Sequence, residues 1–381
     1  MYVVTEIPPL PNGKWRYALG VNSVGQVVGR ADDGGTSEHP FLWSGADGIQ
    51  DLGTLGGWEG WAVGIADSGD VVGWSLTSKS QPGKLVARAF LWRAGTMHDL
   101  GTLGGENSAA YDINNSGQVV GASNTNTEMH AFLWSEATGM EDLGTLGGHA
   151  SEALGISDDG RVVGDSLTEK GVQHAFIWDA QAGMVDLGTL AGFPIDWACS
   201  INDSGEIAGA AWDAKTDYAY RPLLWNGTGL HDLGSLGGLQ SFATKINNAG
   251  EVVGMSQSAG FQWNAFYQPR NGPMKDLGQL VGSSGFGWHF GGATDLNDAG
   301  QIVGIGGHFN AGRGFLLTRM RAPFLVEHKF PVDWPLHLPF SQVGEVAEGL
   351  HGRAVRSIRE EEDEEVKRRG EAAGGPPPDV L

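Results

Sequence analysis

The chain has a single cysteine, Cys199, among 381 residues, so no intramolecular disulfide can form. Cys199 sits in the apolar run Trp197-Ala198-Cys199-Ser200-Ile201, which suits a buried structural thiol rather than a nucleophile. Cationic residues are also scarce. Against 24 Lys and Arg stand 45 Asp and Glu, a net charge of −21 that argues against nucleic acid as a partner, because phosphate binding needs a basic surface. No window approaches the ~18 consecutive apolar residues of a membrane span. The opening Tyr2-Val3-Val4-Thr5-Glu6-Ile7 is too short for a signal peptide and has the wrong flanks. Gly-x-Ser-x-Gly, His-Glu-x-x-His and Walker loops are absent, so no catalytic residue, cofactor or metal is expected from motifs.

Glycine, by contrast, is abundant at 62 residues and shows no collagen period. It marks turns in a β-rich chain. The segment Asp-Leu-Gly-Thr-Leu-Gly-Gly occurs at 51–57, 99–105 and 142–148, with near-copies beginning at Asp186, Asp232 and Asp276. A spacing of 43 to 48 residues makes each copy part of one recurring supersecondary unit. A second landmark, Ala-x-x-Ile-Asn-x-x-Gly-x-Val-Val-Gly, begins at Ala18, Ala62, Ala110, Ala153, Ala198, Ala243 and Ala293. Its Asn/Asp-then-Gly centre between β-branched residues reads as a hairpin turn. A third, typified by Ala131-Phe132-Leu133-Trp134, reads as a buried strand.

Each unit is thus expected to hold four short antiparallel strands: A (Ala-x-x-Ile), B (Val-Val-Gly), C (Phe-Leu-Trp) and D (Asp-Leu-Gly-Thr-Leu). These are the dimensions of propeller blades. Strands A, B and C occur seven times, but D follows C only six times, while Tyr2–Leu10 precedes the first A strand. The expectation is an all-β, seven-bladed β-propeller over residues 1–320 whose N-terminal strand completes the last blade, leaving no open edge. Residues 321–381 form an extension: a Pro/aromatic arm with Phe324, Phe330, Trp334 and Phe340, a short charged helix, and a disordered tail ending in Pro376-Pro377-Pro378. Residues 321–381 together hold 12 acidic and 8 basic residues, so −17 of the charge lies on the repeats.

His130-Ala131-Phe132-Leu133-Trp134 followed by Asp142–Gly148, together with His174–Trp178 and His39–Trp43, resembles the HAF-type extracellular repeat of bacteria. Other units carry Arg88, Arg221, Asn264 or Arg313 at the His position. The resemblance covers about 1–318 and implies a secreted or surface protein, with a cytoplasmic location as the alternative; it brings no agreed activity. His39, His130 and His174 occupy equivalent places in different units, which suits a structural hydrogen bond at the start of strand C rather than a shared metal. Asp112-x-Asn114-x-Ser116-Gly117 opens like a calcium loop, but Ser123 stands where its bidentate acid belongs.

The D–A and B–C loops, which share one face, vary in length and content, and variable loops on a rigid frame are where binding is usually placed. Candidates there are Trp15, Arg16, Tyr17, Trp58, Glu59, Trp61, Asn107, His149, Glu152, Asp196, Trp197, Phe242, Trp288 and His289, with Trp212, Asp213, Tyr218 and Tyr220 from B–C. Aromatics beside carboxylates and amides suit a glycan or a protein partner; several of the aromatics could instead fill gaps between blades. Three functions follow. The first is a non-catalytic scaffold binding through this face. The second is a propeller hydrolase or lyase acting on polysaccharide or peptide and using Glu59, His149, Glu152, Asp196 and His289. The third is a subunit docked into a larger assembly by its C-terminal arm.

Overall fold

The computed structural model describes residues 1–320 apart from 82, 192, 194, 214–218 and 310. The arm, charged segment and tail expected beyond 320 lie outside the described residues. What is described is all-β, with two short 3-10 turns, Leu277–Leu280 and Ser283–Gly285.

The first unit shows the pattern. Strands Arg16–Val21, Val27–Asp32, Glu38–Ser44 and Gly48–Asp51 pair antiparallel in sequence order. The next unit repeats it with Gly56–Ile65, Val71–Thr77, Ala87–Arg93 and Thr96–Asp99. Further ladders start with A strands at Ser108, Gly147, Ile195 and Gly237. Parallel bridges Glu38↔Glu59, Met129↔Ala150 and Tyr220↔Gln240 join neighbouring ladders into eight-stranded sheets. The last ladder, Trp288–Leu296, Ile302–His308 and Ala311–Arg319, takes its fourth strand from the other end of the chain. Tyr2–Glu6 pairs with Ala311–Arg319 in unbroken register from Tyr2↔Arg319 to Glu6↔Phe315.

The recurring residues have recurring jobs. Strand C supplies Phe41, Phe90, Phe132, Phe176, Phe266 and Phe315, all fully buried. The glycine of Val-Val-Gly answers a steric demand. Strand A bulges after its alanine, as between Ala110 and Asp112, and brings its carbonyl over strand B. A Cβ on Gly121 would lie 2.0 Å from the Ala109 carbonyl oxygen.

The A–B turns do more than reverse the chain. Their glycines have φ from +73° to +87°, as the sequence pattern requires. Their Asn and Asp side chains also link unit to unit. The Asp67 amide donates to Asn115 Oδ1, Asn115 to Asp158, Asp158 to Asp203, Asp203 to Asn248 and Asn248 to Asp298, at 2.8 to 3.0 Å. Ser23 begins the series by donating to Asp67 Oδ1. Last and first units meet through Asn297 Nδ2 donating to the Asn22 carbonyl at 2.8 Å and Thr294 Oγ1 to the Ala18 carbonyl at 2.9 Å. These turns are therefore occupied by the fold. Asp112 likewise accepts from the Ile113 and Ile156 amides rather than opening a calcium loop.

One expectation is corrected. Asp-Leu-Gly-Thr-Leu is not strand D: the strand is the preceding Gly48–Asp51, and only the Asp of the motif belongs to it. The rest is the D–A connection. Asp51 Oδ1 accepts from the Gly53 amide at 2.8 Å, Gly53 takes φ +73°, buried Leu52 donates its amide to the Pro40 carbonyl, and Thr54 Oγ1 donates to the Gly57 carbonyl. The motif recurs because its side chains build a turn.

Candidate functional site

The histidines at the head of strand C hold this turn. His39 Nδ1 lies 2.8 Å from Asp51 Oδ2, His130 Nδ1 2.9 Å from Asp142 Oδ2 and His174 Nδ1 2.7 Å from Asp186 Oδ2. One carboxylate thus ties the next glycine amide with one oxygen and its own C strand with the other. The histidine reading as a structural hydrogen bond agrees with this geometry.

A second recurring contact joins ladders. Ser108 Oγ accepts from the Ala89 amide and donates to the Gly101 carbonyl; Ser151 Oγ does the same with Ala131 and Gly144. Where strand C carries proline, the amide is lost. Opposite Pro40 stands Gly60, which offers no hydroxyl. Opposite Pro222 stands Ser241, fully buried, whose hydroxyl has no hydrogen-bond partner among the described residues. Ser241→Ala is therefore expected to stabilise the protein by about 1 kcal/mol in urea unfolding, since an unsatisfied buried hydroxyl carries a desolvation cost of that order. A loss of stability of that size would show that the hydroxyl is bonded.

At Asp196 a carboxyl replaces the serine. Its Oδ1 accepts from the Ala175 amide at 2.8 Å, as serine would. Its Oδ2 has no hydrogen-bond partner among the described residues, and the side chain is fully buried. Burial pushes its pKa up from 3.8 to about 6, against the Ala175 amide and His174, which lower it.

The predicted binding residues divide by burial. Arg16 is internal: its Nε donates to the Ile7 carbonyl at 2.5 Å and its guanidinium pairs with Glu6, fastening the N-terminal strand. Trp61 is internal as well, with the Arg30 guanidinium 3.7 Å above its ring and Trp74 at 5.1 Å. Trp15 and Tyr17 pack with tilted rings at 5.3 Å beside the same arginine, which is ion-paired with Glu38 at 2.6 Å. Asn107 Oδ1 receives the Ala87 amide. Glu152 is buried opposite buried Asp165. Trp197 and Trp212 both pack on Tyr220. His289 bonds Asn264 at 3.2 Å, and burial lowers its pKa. Trp58, 40% exposed, and His149 face solvent, and Glu59 is half-buried. Glu59, His149, Glu152, Asp196 and His289, proposed as an acid–base set, sit on four different ladders with separate surroundings. Tyr218 lies outside the described residues.

The sequence reading missed an exposed aromatic group on the same face. Phe286 is 76% exposed, Phe309 66% and Phe261 58%. Phe261 and Phe309 have φ +61° and +47°, an unusual conformation for a bulky residue. Phe261 stands in a B–C turn where the fourth unit has Gly171 at φ +72°, with the same turn hydrogen bond. The available signal was that departure from glycine. Across the axis, Lys245 Nζ lies 3.4 Å from Asp112 and 3.9 Å from Asp295, which accepts from the Val21 amide. Among the described residues no group of three or more His, Cys, Asp or Glu is placed to hold a metal. No helix among them is long and apolar enough to cross a membrane.

Residues 56–229, a little under half the chain, match a family described as "Protein of unknown function (DUF3466)". No curated protein matches. The β-propeller domain of the trilobed protease from Pyrococcus furiosus, described as having an open velcro topology, is similar with a TM-score of 0.52 at 11% identity, over 80% of this chain and 94% of that one. A puromycin hydrolase mutant gives 0.49 at 12% identity over 69% of this chain, and TolB from Acinetobacter baumannii 0.47 at 12% over 68%. The chain spans 45% and 62% of those two proteins. At such identities the likeness concerns fold alone. The repeated four-strand ladders together with the likeness to the Pyrococcus furiosus domain make this protein a β-propeller.

Proposed function

We infer that the four-strand ladders are the seven blades of one closed ring of HAF-type repeats, and that the ring is a non-catalytic scaffold binding a glycan or protein at an extracellular or cell-surface location. The pairing of Tyr2–Glu6 with the last C strand and the bonds from Asn297 and Thr294 to the first unit support closure. The binding reading is carried by one observation: Trp58 and Leu239 at the starts of A strands, and Phe261, Phe286 and Phe309 in B–C or D–A connections, are all exposed. Exposed large apolar side chains gathered on one face mark interaction surfaces. Two of these also hold a strained backbone, which a fold retains where function rewards it.

The test is an oligosaccharide array and a peptide library screened with the purified protein, then repeated with Trp58→Ala and Phe261→Gly. Hits are expected to weaken by about tenfold or more in at least one variant, the size of a hot-spot loss. Hits that survive both changes but weaken with Val24→Ser, on the A–B turns, would move the site to the opposite face.

A further inference from the structure

We propose that the seam between the last and first units binds an acidic sugar residue, a uronate, which stacks on Phe309 beside the Phe286 ring and sets its carboxylate against Arg313 and His308. This rests on the loop-face reading above and names its ligand.

The aromatic shelf is built. The Phe286 and Phe309 rings meet edge-to-face at 6.2 Å. The Phe309 amide donates to the Gly287 carbonyl at 3.1 Å, and a Cβ on Gly287 would lie 2.7 Å from the Phe309 ring. The ring therefore occupies space that a glycine at φ +81° leaves open. Beneath it the stack continues through His308 at 4.6 Å, Trp288 at 4.8 Å and Phe290 at 5.6 Å. This backing fixes the shelf, yet its outermost two rings remain exposed to solvent.

Cationic and protonatable groups border the shelf. Glu6 is shared by three cationic or protonatable groups: its oxygens pair with Arg16, with Arg313 Nε at 3.1 Å and with His308 Nδ1 at 2.7 Å. Arg313 Nη1 donates to the Lys14 and Gly312 carbonyls at 2.5 and 3.2 Å. Asp32 also acts on Arg16, so Arg16 is answered inside the seam, and Arg313 and His308 share Glu6 at its partly exposed edge, on a repeat region of net charge −17. Arg313 and His308 are each about a quarter exposed, so an incoming anion can reach them. A flat apolar face and a carboxylate carried by one residue describe a uronate. Its ring C–H groups suit an aromatic surface, and an arginine favours a carboxylate by geometry as well as charge.

Isothermal titration at low salt with oligogalacturonate and with its methyl ester tests this, because the ester keeps the sugar face and removes the charge. Oligogalacturonate is expected to bind, with the ester about tenfold or more weaker. Arg313→Gln is expected to abolish that preference. Phe309→Gly is expected to lose about tenfold in affinity while the melting temperature holds or rises, since glycine accepts φ +47° without strain. A structural role alone would not separate these two readouts. Equal affinity for acid and ester, wild-type binding by Phe309→Gly, or no binding of oligogalacturonate overturns the proposal. If oligogalacturonate fails but a neutral sugar or a peptide binds and is lost in Trp58→Ala, the uronate proposal falls and the loop-face reading stands.

Discussion

Asp196→Ser is expected to raise stability at pH 7 and above by about 3 kcal/mol and to have much less effect near pH 4. The folded protein holds this carboxyl at about 6 against 3.8 when exposed, chiefly through burial. Between those values the native state binds a proton that the unfolded chain releases. Stability from this group is therefore complete below about 4, falls as pH rises through 6, and is level beyond. The figure follows from the difference between 3.8 and about 6 at ~1.4 kcal/mol per pH unit. Facing groups are the Ala175 amide and His174, which favour the anion, and Asp186, which opposes it. Serine restores the donor and acceptor pair of Ser108 and Ser151, so the variant should lose the slope. Urea midpoints measured from pH 4 to 8 decide it. A stability difference that stays constant over that range would mean Asp196 does not titrate within it.

Gly121→Ala is expected to destabilise by about 3 kcal/mol or more, whereas Gly45→Ala should stay within about 0.5. The chemical change is identical. At Gly45 an added Cβ meets nothing within 4 Å, while at Gly121 it meets the Ala109 carbonyl oxygen at 2.0 Å and Ala110 Cα at 2.9 Å. The obstructing atoms are all backbone of strand A, so no side chain can swing away and relief requires the A–B ladder to open. Chemical denaturation of the two variants is sufficient, and equal midpoints would refute the packing account. The same clash recurs at Gly29, Gly73, Gly164, Gly209, Gly254 and Gly304, which explains why Val-Val-Gly keeps its glycine.

The sequence revealed the repeat, the hairpin turns and the buried C strands because each depends on residue types with one strong physical reason. Strand D was misplaced for the converse reason. Gly48–Asp51, Thr96–Asp99 and Gly139–Asp142 are outer strands with exposed ends and little shared pattern, while the turn after them is fixed by hydrogen bonds and so dominates the eye. The loop-face residues were legible only as a neighbourhood. Nothing local distinguishes exposed Trp58 from buried Trp61, because the difference is the Arg30 side chain lying over Trp61 from another unit. Phe261 and Phe309 were overlooked because a phenylalanine in a glycine-rich turn resembles core until its backbone conformation is seen.

The series of bonds through the A–B turns has a direction: each turn amide points toward the side-chain oxygen of the following unit. In the proposed ring these dipoles run head to tail around the axis from Ser23 to Asp298, the bond from Asn297 Nδ2 to the Asn22 carbonyl carries the polar contact across the remaining seam, and the vector sum largely cancels. A helix places its aligned peptide dipoles along one axis and collects opposite partial charges at its two ends. A circulating arrangement has no such poles. It gains the bonding of a polar chain without producing termini that must be capped or neutralised, so the two faces can be charged or left apolar according to what they bind.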